Sequence, residues 1–220
     1  MPVPPEPDYC PPPPEALDII HADESFIVAD KPAGLLSVPG RGGHKHASVL
    51  TYLADRYGSA LDIHRLDLDT SGLIVVARHR TAQSSLAKQF ADRTVSKTYD
   101  ALVKGQMESD RGQIDLPIGR DWQDRPRRRI DLESGKPART RWSLEVQAEN
   151  IAHLKLQPVT GRTHQLRLHL ASIGHPILGD RLYDSACRSG RLCLHASQLD
   201  FTHPETGKPL KFLSTASFHL

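Results

Sequence analysis

Two stretches of this chain concentrate side chains that can do chemistry. The first is His64-Arg65-Leu66-Asp67-Leu68-Asp69-Thr70-Ser71-Gly72. It sets an imidazole, a guanidinium and two carboxylates directly before Leu73-Ile74-Val75-Val76-Ala77, a β-branched run of the length expected for a central strand. Charges at such a strand edge are costly unless paired or exposed. Asp69 to Gly72 reads as a turn, with Asp69, Thr70 and Ser71 bonding to nearby amides and Gly72 supplying an unusual dihedral. That turn does not account for His64, Arg65 and Asp67. Asp67 and Asp69 also admit a carboxylate pair acting at an anomeric carbon, as in glycoside hydrolysis. The second stretch is Gly161-Arg162-Thr163-His164-Gln165-Leu166-Arg167-Leu168-His169. It is expected to open a helix, so Arg162, His164 and Gln165 fall in a first turn whose free amides favour anions. A phosphate site and an ordinary polar helix face fit this pattern equally.

The elements that must position these groups follow from periodicity. Phe26 to Ala29 predicts a short buried strand, followed by a Gly/Pro-rich loop from Lys31 to Gly40. Ser48 is placed to cap a helix ending at Tyr57, and Thr81 opens a second with Leu86 and Phe90 inward. Thr98 to Val103, Arg139 to Gln147, Ala152 to Leu156 and a late segment around Leu199 and Phe201 read as strands. Thr163 caps the third helix, with Leu166, Leu170 and Ile173 on one stripe and a stop at Gly174. Strands outnumber helices, which predicts an α+β fold around a largely antiparallel or mixed sheet with flanking helices.

Composition narrows the class. A chain of 220 residues with 38% hydrophobic and 25% charged residues is long enough to bury a core without staples. No apolar stretch approaches the roughly 20 residues of a membrane helix, and no secretory signal pattern stands at the N-terminus. Three cysteines, Cys10, Cys187 and Cys193, are too few and irregular for a disulfide framework and suit a reducing cytoplasm. Eight prolines among residues 1–14 predict a disordered acidic tail over residues 1–16, with one domain from 17 to 220. Residues 1–30 hold seven acids and no Lys or Arg, so residues 31–220 carry 28 bases against 19 acids. That surplus of +9 can attract a polyanion. Residues 120–141 hold eight cations against four acids, centred on Arg125, Arg127, Arg128 and Arg129, which makes this the candidate segment for docking such a polyanion.

Together the blocks resemble the pseudouridine synthases of the ribosomal large-subunit type, which isomerise uridine in RNA. The resemblance rests on Lys31-Pro32-Ala33-Gly34-Leu35, His64-Arg65-Leu66-Asp67 with Thr70-Ser71-Gly72, and Lys97 with Tyr99. It continues through Gly161 to His169, Gly174-His175-Pro176-Ile177-Leu178-Gly179-Asp180, and Leu194-His195-Ala196. Leu36 to Gly40 and the stretch from Leu116 to Pro126 look like a small, dual-specificity member. That likeness implies 23S rRNA and the tRNA anticodon stem-loop as partners, a cytoplasmic monomer without an added N-terminal RNA-binding domain, and no cofactor or metal.

The resemblance also implies roles. Asp67 is the catalytic carboxylate, kept ionised by Arg167, and Tyr99 lies against the uracil. Arg65 helps fill the gap left by a flipped nucleotide, since a base must leave its stack to be reached. His64, Arg162, His164 and Gln165 join it as RNA-binding residues. Leu194 walls the base pocket, and Lys97 and Lys31 are pocket or phosphate contacts. Attack on the ribose, attack at C6 of the base and a glycal route all satisfy this residue set. The rivals are a two-carboxylate N-glycosidase and a non-catalytic RNA-binding protein. With 5% aromatic residues, the chain lacks an interleaved platform of the kind that holds single strands by stacking.

Overall fold

The computed structural model describes residues 9–187 and 190–220. The first half of its sheet is built on the two most apolar runs, β2 (Phe26–Lys31) and β3 (Ser71–Ala77), paired antiparallel. A strand's two-residue period sends alternate side chains to opposite faces. Ile27, Ala29, Ile74 and Val76 meet Val49 and Leu53 of α1 (Val49–Tyr57), while Phe26, Val28, Leu73 and Val75 meet Leu86 of α2 (Arg80–Ala91). Both faces are covered, which explains a continuous apolar run rather than an alternating one. Ser48 caps α1 as expected: its hydroxyl accepts from the Thr51 amide at 3.2 Å, and the Thr51 hydroxyl accepts from the Ser48 amide at 2.9 Å.

The second half of the sheet is antiparallel. β4 (Ser96–Lys104) pairs with β9 (Ile151–Pro158), β9 with β8 (Arg139–Ala148), and β8 with β5 (Arg111–Asp115). β10 (Leu194–Thr202) joins the halves, parallel to β3 and antiparallel to β4. β1 (Asp18–Ala22) edges β2, and β11 (Pro209–Leu213) adds to β10. The result is a mixed, largely antiparallel α+β sheet in the order β1-β2-β3-β10-β4-β9-β8-β5. Gly72 sits at the join opposite Ala196, with φ +110°, and a Cβ there would stand 2.4 Å from the Ala196 backbone N and O. Close approach of two backbones, beyond the needs of a turn, requires glycine at this position.

α3 (Gln165–Ser172) covers β4 and β9 through Leu166 and Leu170. Two expectations about it are corrected. The cap position belongs to His164, at φ +57°, and not to Thr163, so Arg162 precedes the helix instead of lying in its first turn. Ile173 lies outside the apolar stripe and is exposed. A hairpin of β6 (Ile118–Arg120) and β7 (Arg128–Ile130) forms a separate two-stranded sheet. Ile118 and Ile130 seat it on Leu168 of α3 and on Tyr183.

The expected disordered tail over residues 1–16 needs correction from Tyr9 onward; residues 1–8 lie outside the described residues. The Tyr9 hydroxyl donates to Ala47 O (2.9 Å) and accepts from the Leu36 amide (3.0 Å), and the Tyr52 hydroxyl donates to Pro12 O (2.9 Å). Proline forbids ladder hydrogen bonds but leaves its carbonyl free to accept, and its fixed φ lowers the entropy lost on docking.

Candidate active site

The segment carrying Asp67 is irregular, so its backbone must be held from outside. The loop after β2 holds it. Ser37 Oγ donates to Leu66 O (2.8 Å) and accepts from Leu66 N (3.0 Å). Lys31 Nζ, fully buried, donates to the carbonyls of Pro32 (3.0 Å), Leu35 (2.7 Å) and Leu68 (2.9 Å), and Gly34 N also donates to Leu68 O (2.9 Å). A turn closed by Thr70 N to Asp67 O (3.2 Å) completes the bracket. Lys31 is therefore not a wall of the pocket, as expected from the sequence, but the strut beneath it. Burial pulls its ammonium down to about 7, against the pull of Asp69, Asp67 and Asp30.

Asp67 opens into a cleft of about 790 Å³. Its side chain is 21% exposed, enough to keep water contact while facing two buried donors. Arg167 Nη1 stands 3.7 Å from Oδ2, and His164 Nε2 stands 4.0 Å from Oδ1. The guanidinium's main partner is Asp180, unexpected from the sequence. Arg167 Nε donates to Asp180 Oδ2 (2.8 Å) and Nη2 to Oδ1 (2.7 Å), in a bidentate fork. Asp180 is fully buried and also accepts from the amides of Leu182 and Tyr183. Although burial disfavours the charged guanidinium, Asp180 and then Asp67 hold its pKa above the ordinary arginine range. A fork that spends two donors on a buried carboxylate leaves the third edge aimed at the cleft.

Tyr99 of β4 lies between two core clusters at the sheet centre and lines the cleft. Burial, and then the charge of Asp67, raise its pKa, so it is a neutral phenol throughout the physiological range. Leu194, 3% exposed, supplies an apolar wall. Lys97 lines the same cleft over the Phe90 ring (5.6 Å), with its pKa lowered by burial. Arg65 is exposed on the cleft and makes no hydrogen bond or ion pair among the described residues, so its guanidinium is available.

All four further expected RNA-binding residues line the cleft, and each is also engaged within the protein. His64 stacks on Phe90 (4.6 Å between centroids), and its Nε2 accepts from the Val75 amide (3.1 Å). Burial, helped by Lys97, pushes its pKa down to about 3. Gln165 is buried with all its groups engaged: Oε1 accepts from Thr160 Oγ1 (2.7 Å) and Arg162 N (3.0 Å), and Nε2 donates to Arg139 O (2.9 Å) and Thr140 Oγ1 (3.0 Å). It shapes the loop before α3. His164 points at Asp67 and at the Tyr183 hydroxyl (2.8 Å from Nδ1). Arg162 lines the cleft but also donates through Nε to Pro137 O (3.1 Å). Asp69 is exposed and lies outside the cleft wall, so no carboxylate pair forms with Asp67. The Ser71 hydroxyl, expected to shape the turn, instead bonds His195 Nδ1 (2.9 Å) and Arg191 Nη2 (2.8 Å).

His64 carries a pH prediction. Its folded pKa lies near 3 and its unfolded one near 6.5. Between these values the unfolded chain binds the extra proton, so stability is complete above about pH 6.5 and falls as pH drops toward 3. Protonation also destroys the acceptor for Val75 N. Urea denaturation at pH 7 and pH 4.5 is expected to show a smaller loss in His64→Gln than in the parent.

A family model described as RNA pseudouridylate synthase matches residues 25–172. The chain belongs to this family. It is 45% identical over 214 residues to the Dual-specificity RNA pseudouridine synthase RluA of Pasteurella multocida (strain Pm70), covering 96% of this chain and 98% of that one. It is 43% identical over 215 residues to the protein of that name from Escherichia coli (strain K12), with the same coverages. Among solved structures, Human RNA Pseudouridylate Synthase Domain Containing 1 superposes with a TM-score of 0.81 at 28% identity, covering 95% of this chain and 87% of the other.

Proposed function

We propose that this chain isomerises uridine to pseudouridine in structured RNA, acting on 23S rRNA and the tRNA anticodon stem-loop, with Asp67 as the catalytic carboxylate. The observation that carries the residue assignment is the position of Asp67. It faces a cleft large enough for a flipped nucleotide, beside a guanidinium that a buried partner holds in place. The reaction breaks N1–C1′, turns the uracil and joins C5 to C1′; a proton leaves C5 and one is gained at N1. Atoms and charge balance without a redox cofactor. Tyr99 and Leu194 flank the base, the uncommitted Arg65 occupies the gap in the RNA stack, and Lys97 faces the backbone phosphates. The identities to dual-specificity relatives support two RNA substrates. Three cysteines, too few and irregular for a disulfide framework, fit a cytoplasmic setting.

The β6–β7 hairpin is the docking element. Arg125 stacks over the exposed ring of Trp122 (4.6 Å), and Arg129, 60% exposed and only loosely paired with Asp131 (3.4 Å), projects from the same hairpin. Arg127 and Arg128 are half-buried, and Arg127 is paired with Asp124 (2.8 Å), so they contribute less. Replacing Arg125 and Arg129 by Ala is expected to lower the slope of log K against log salt by about 1.5 to 2. The function itself is tested by incubating 23S rRNA and tRNA transcripts with the protein and mapping new pseudouridines by carbodiimide modification and primer extension. Free uracil with no mass-neutral product would instead identify a glycosidase.

A further inference from the structure

The groups facing Asp67 are both rooted in one short turn outside the catalytic segment. Asp180, which holds Arg167, begins it, and Tyr183, three residues on, holds His164. The Tyr183 ring also lies 5.4 Å from the Arg167 guanidinium and meets the His164 ring edge-on at 5.7 Å. Its hydroxyl has a second partner: the backbone amide of Arg128, at the start of β7, donates to it at 2.7 Å. Two side chains, Tyr183 and His164, thus stand between the docking hairpin and the catalytic carboxylate.

We infer that Tyr183 is a positioning residue that couples the docking hairpin to Asp67 by fixing one tautomer of His164. A phenolic oxygen has one proton to give. The Arg128 amide can only donate, so the phenol's proton is free to go to His164 Nδ1. This holds when the imidazole is neutral. Burial, with Arg167 and Arg128, depresses the His164 pKa and outweighs the opposing pull of Asp67 and Asp180. With Nδ1 accepting, the ring proton sits on Nε2, the atom that faces Asp67 Oδ1 at 4.0 Å. The ring is held in place by its hydrogen bond to the Tyr183 hydroxyl and by burial, its side chain being 10% exposed. Asp67 is therefore approached by a charged donor on one oxygen, at 3.7 Å, and a neutral donor on the other, at 4.0 Å. Any shift of β7 when RNA engages the hairpin moves the Arg128 amide, and with it the hydroxyl that sets the imidazole.

The inference rests on the proposed catalytic role of Asp67, and the test separates the two. Nitrogen-15 NMR of the ¹⁵N-histidine-labelled full chain, with His164 assigned by loss of its signals in His164→Gln, is expected to show a protonated Nε2 and an accepting Nδ1. Tyr183→Phe keeps the ring and its contact with Arg167 but removes the hydroxyl. It is expected to lose the single tautomer, and its single-turnover rate at saturating RNA should fall by about tenfold, the loss of one neutral hydrogen bond. The RNA dissociation constant should stay within about twofold. The Arg125→Ala, Arg129→Ala pair should weaken binding in both backgrounds but reduce the saturated rate only where Tyr183 is present. A protonated Nδ1 in the parent protein would overturn the inference even if the Phe variant failed to fold. An unchanged saturated rate, or a loss confined to binding, would do the same. Absence of pseudouridine from the parent reaction would instead strike the underlying function.

Discussion

Asp67→Asn is expected to abolish pseudouridine formation, with a rate loss of at least about 10⁴-fold, while RNA is still bound. Losses of this size are usual when the group that engages the reacting centre is removed. Asn keeps the shape and the polarity of Asp67 but can neither attack carbon nor stabilise a developing cation. The fold should barely register the change. Among the described residues Asp67 makes no close hydrogen bond through its carboxylate, its nearest cationic atom standing 3.7 Å away, and it retains water contact. Stability is therefore expected to change by less than about 1 kcal/mol, as for exposed ion pairs. Gel-shift affinity within a fewfold of the parent, next to a blank carbodiimide map, is the expected pair of results. Retained turnover would remove Asp67 from the mechanism. A protein whose biological role survived the substitution would be an RNA binder instead.

Arg167→Met, by contrast, is expected to damage stability as well as rate. The guanidinium and Asp180 are a buried, bidentate pair, with Arg167 4% exposed and Asp180 fully enclosed. Removing one member leaves a charge without its partner inside the protein, which commonly costs about 3–5 kcal/mol. For a chain of this size that lowers Tm by roughly 6–20 °C. The same change strips the cation from beside Asp67. Asp180→Asn separates the two effects. It leaves the arginine charge in the cleft but weakens the fork that aims it, so its rate loss should be smaller than that of Arg167→Met. Thermal melts and single-turnover rates on the same preparations check both. If Arg167→Met melted with the parent, the buried pair would not be holding the site together.

What could be read from the residues in order was largely local. The apolar runs at 26–29 and 73–77, the Ser48 cap, the alternation along Ala152 to Leu156, and the stop at Gly174 each follow from periodicity or turn chemistry within a few positions, whereas the alternation expected along Arg139 to Gln147 is broken by an irregularity between Leu144 and Val146 that leaves Val146 exposed. The chemical character of His64 to Gly72 and Gly161 to His169 was equally plain, because charged groups beside apolar strands demand an explanation. Short polar strands such as β5 and the hairpin were missed, since Arg111–Asp115 and Arg128–Ile130 lack an apolar repeat and exist through pairing alone.

The division of labour within the two motifs is a matter of tertiary structure. Nothing in the letters distinguishes His64, which gives its Nε2 to a strand amide, from His164, which turns toward Asp67. Lys31 and Lys97 look alike in sequence, yet one is a strut under three carbonyls and the other a wall of the cleft. Arg167 was expected at Asp67, and only the fold shows that Asp180 is what holds it there. The physical reason is common to all of them. A residue's type states which bonds it can make, while the bond it does make depends on which partner, often tens of residues away, the packing of other elements brings within 3 Å.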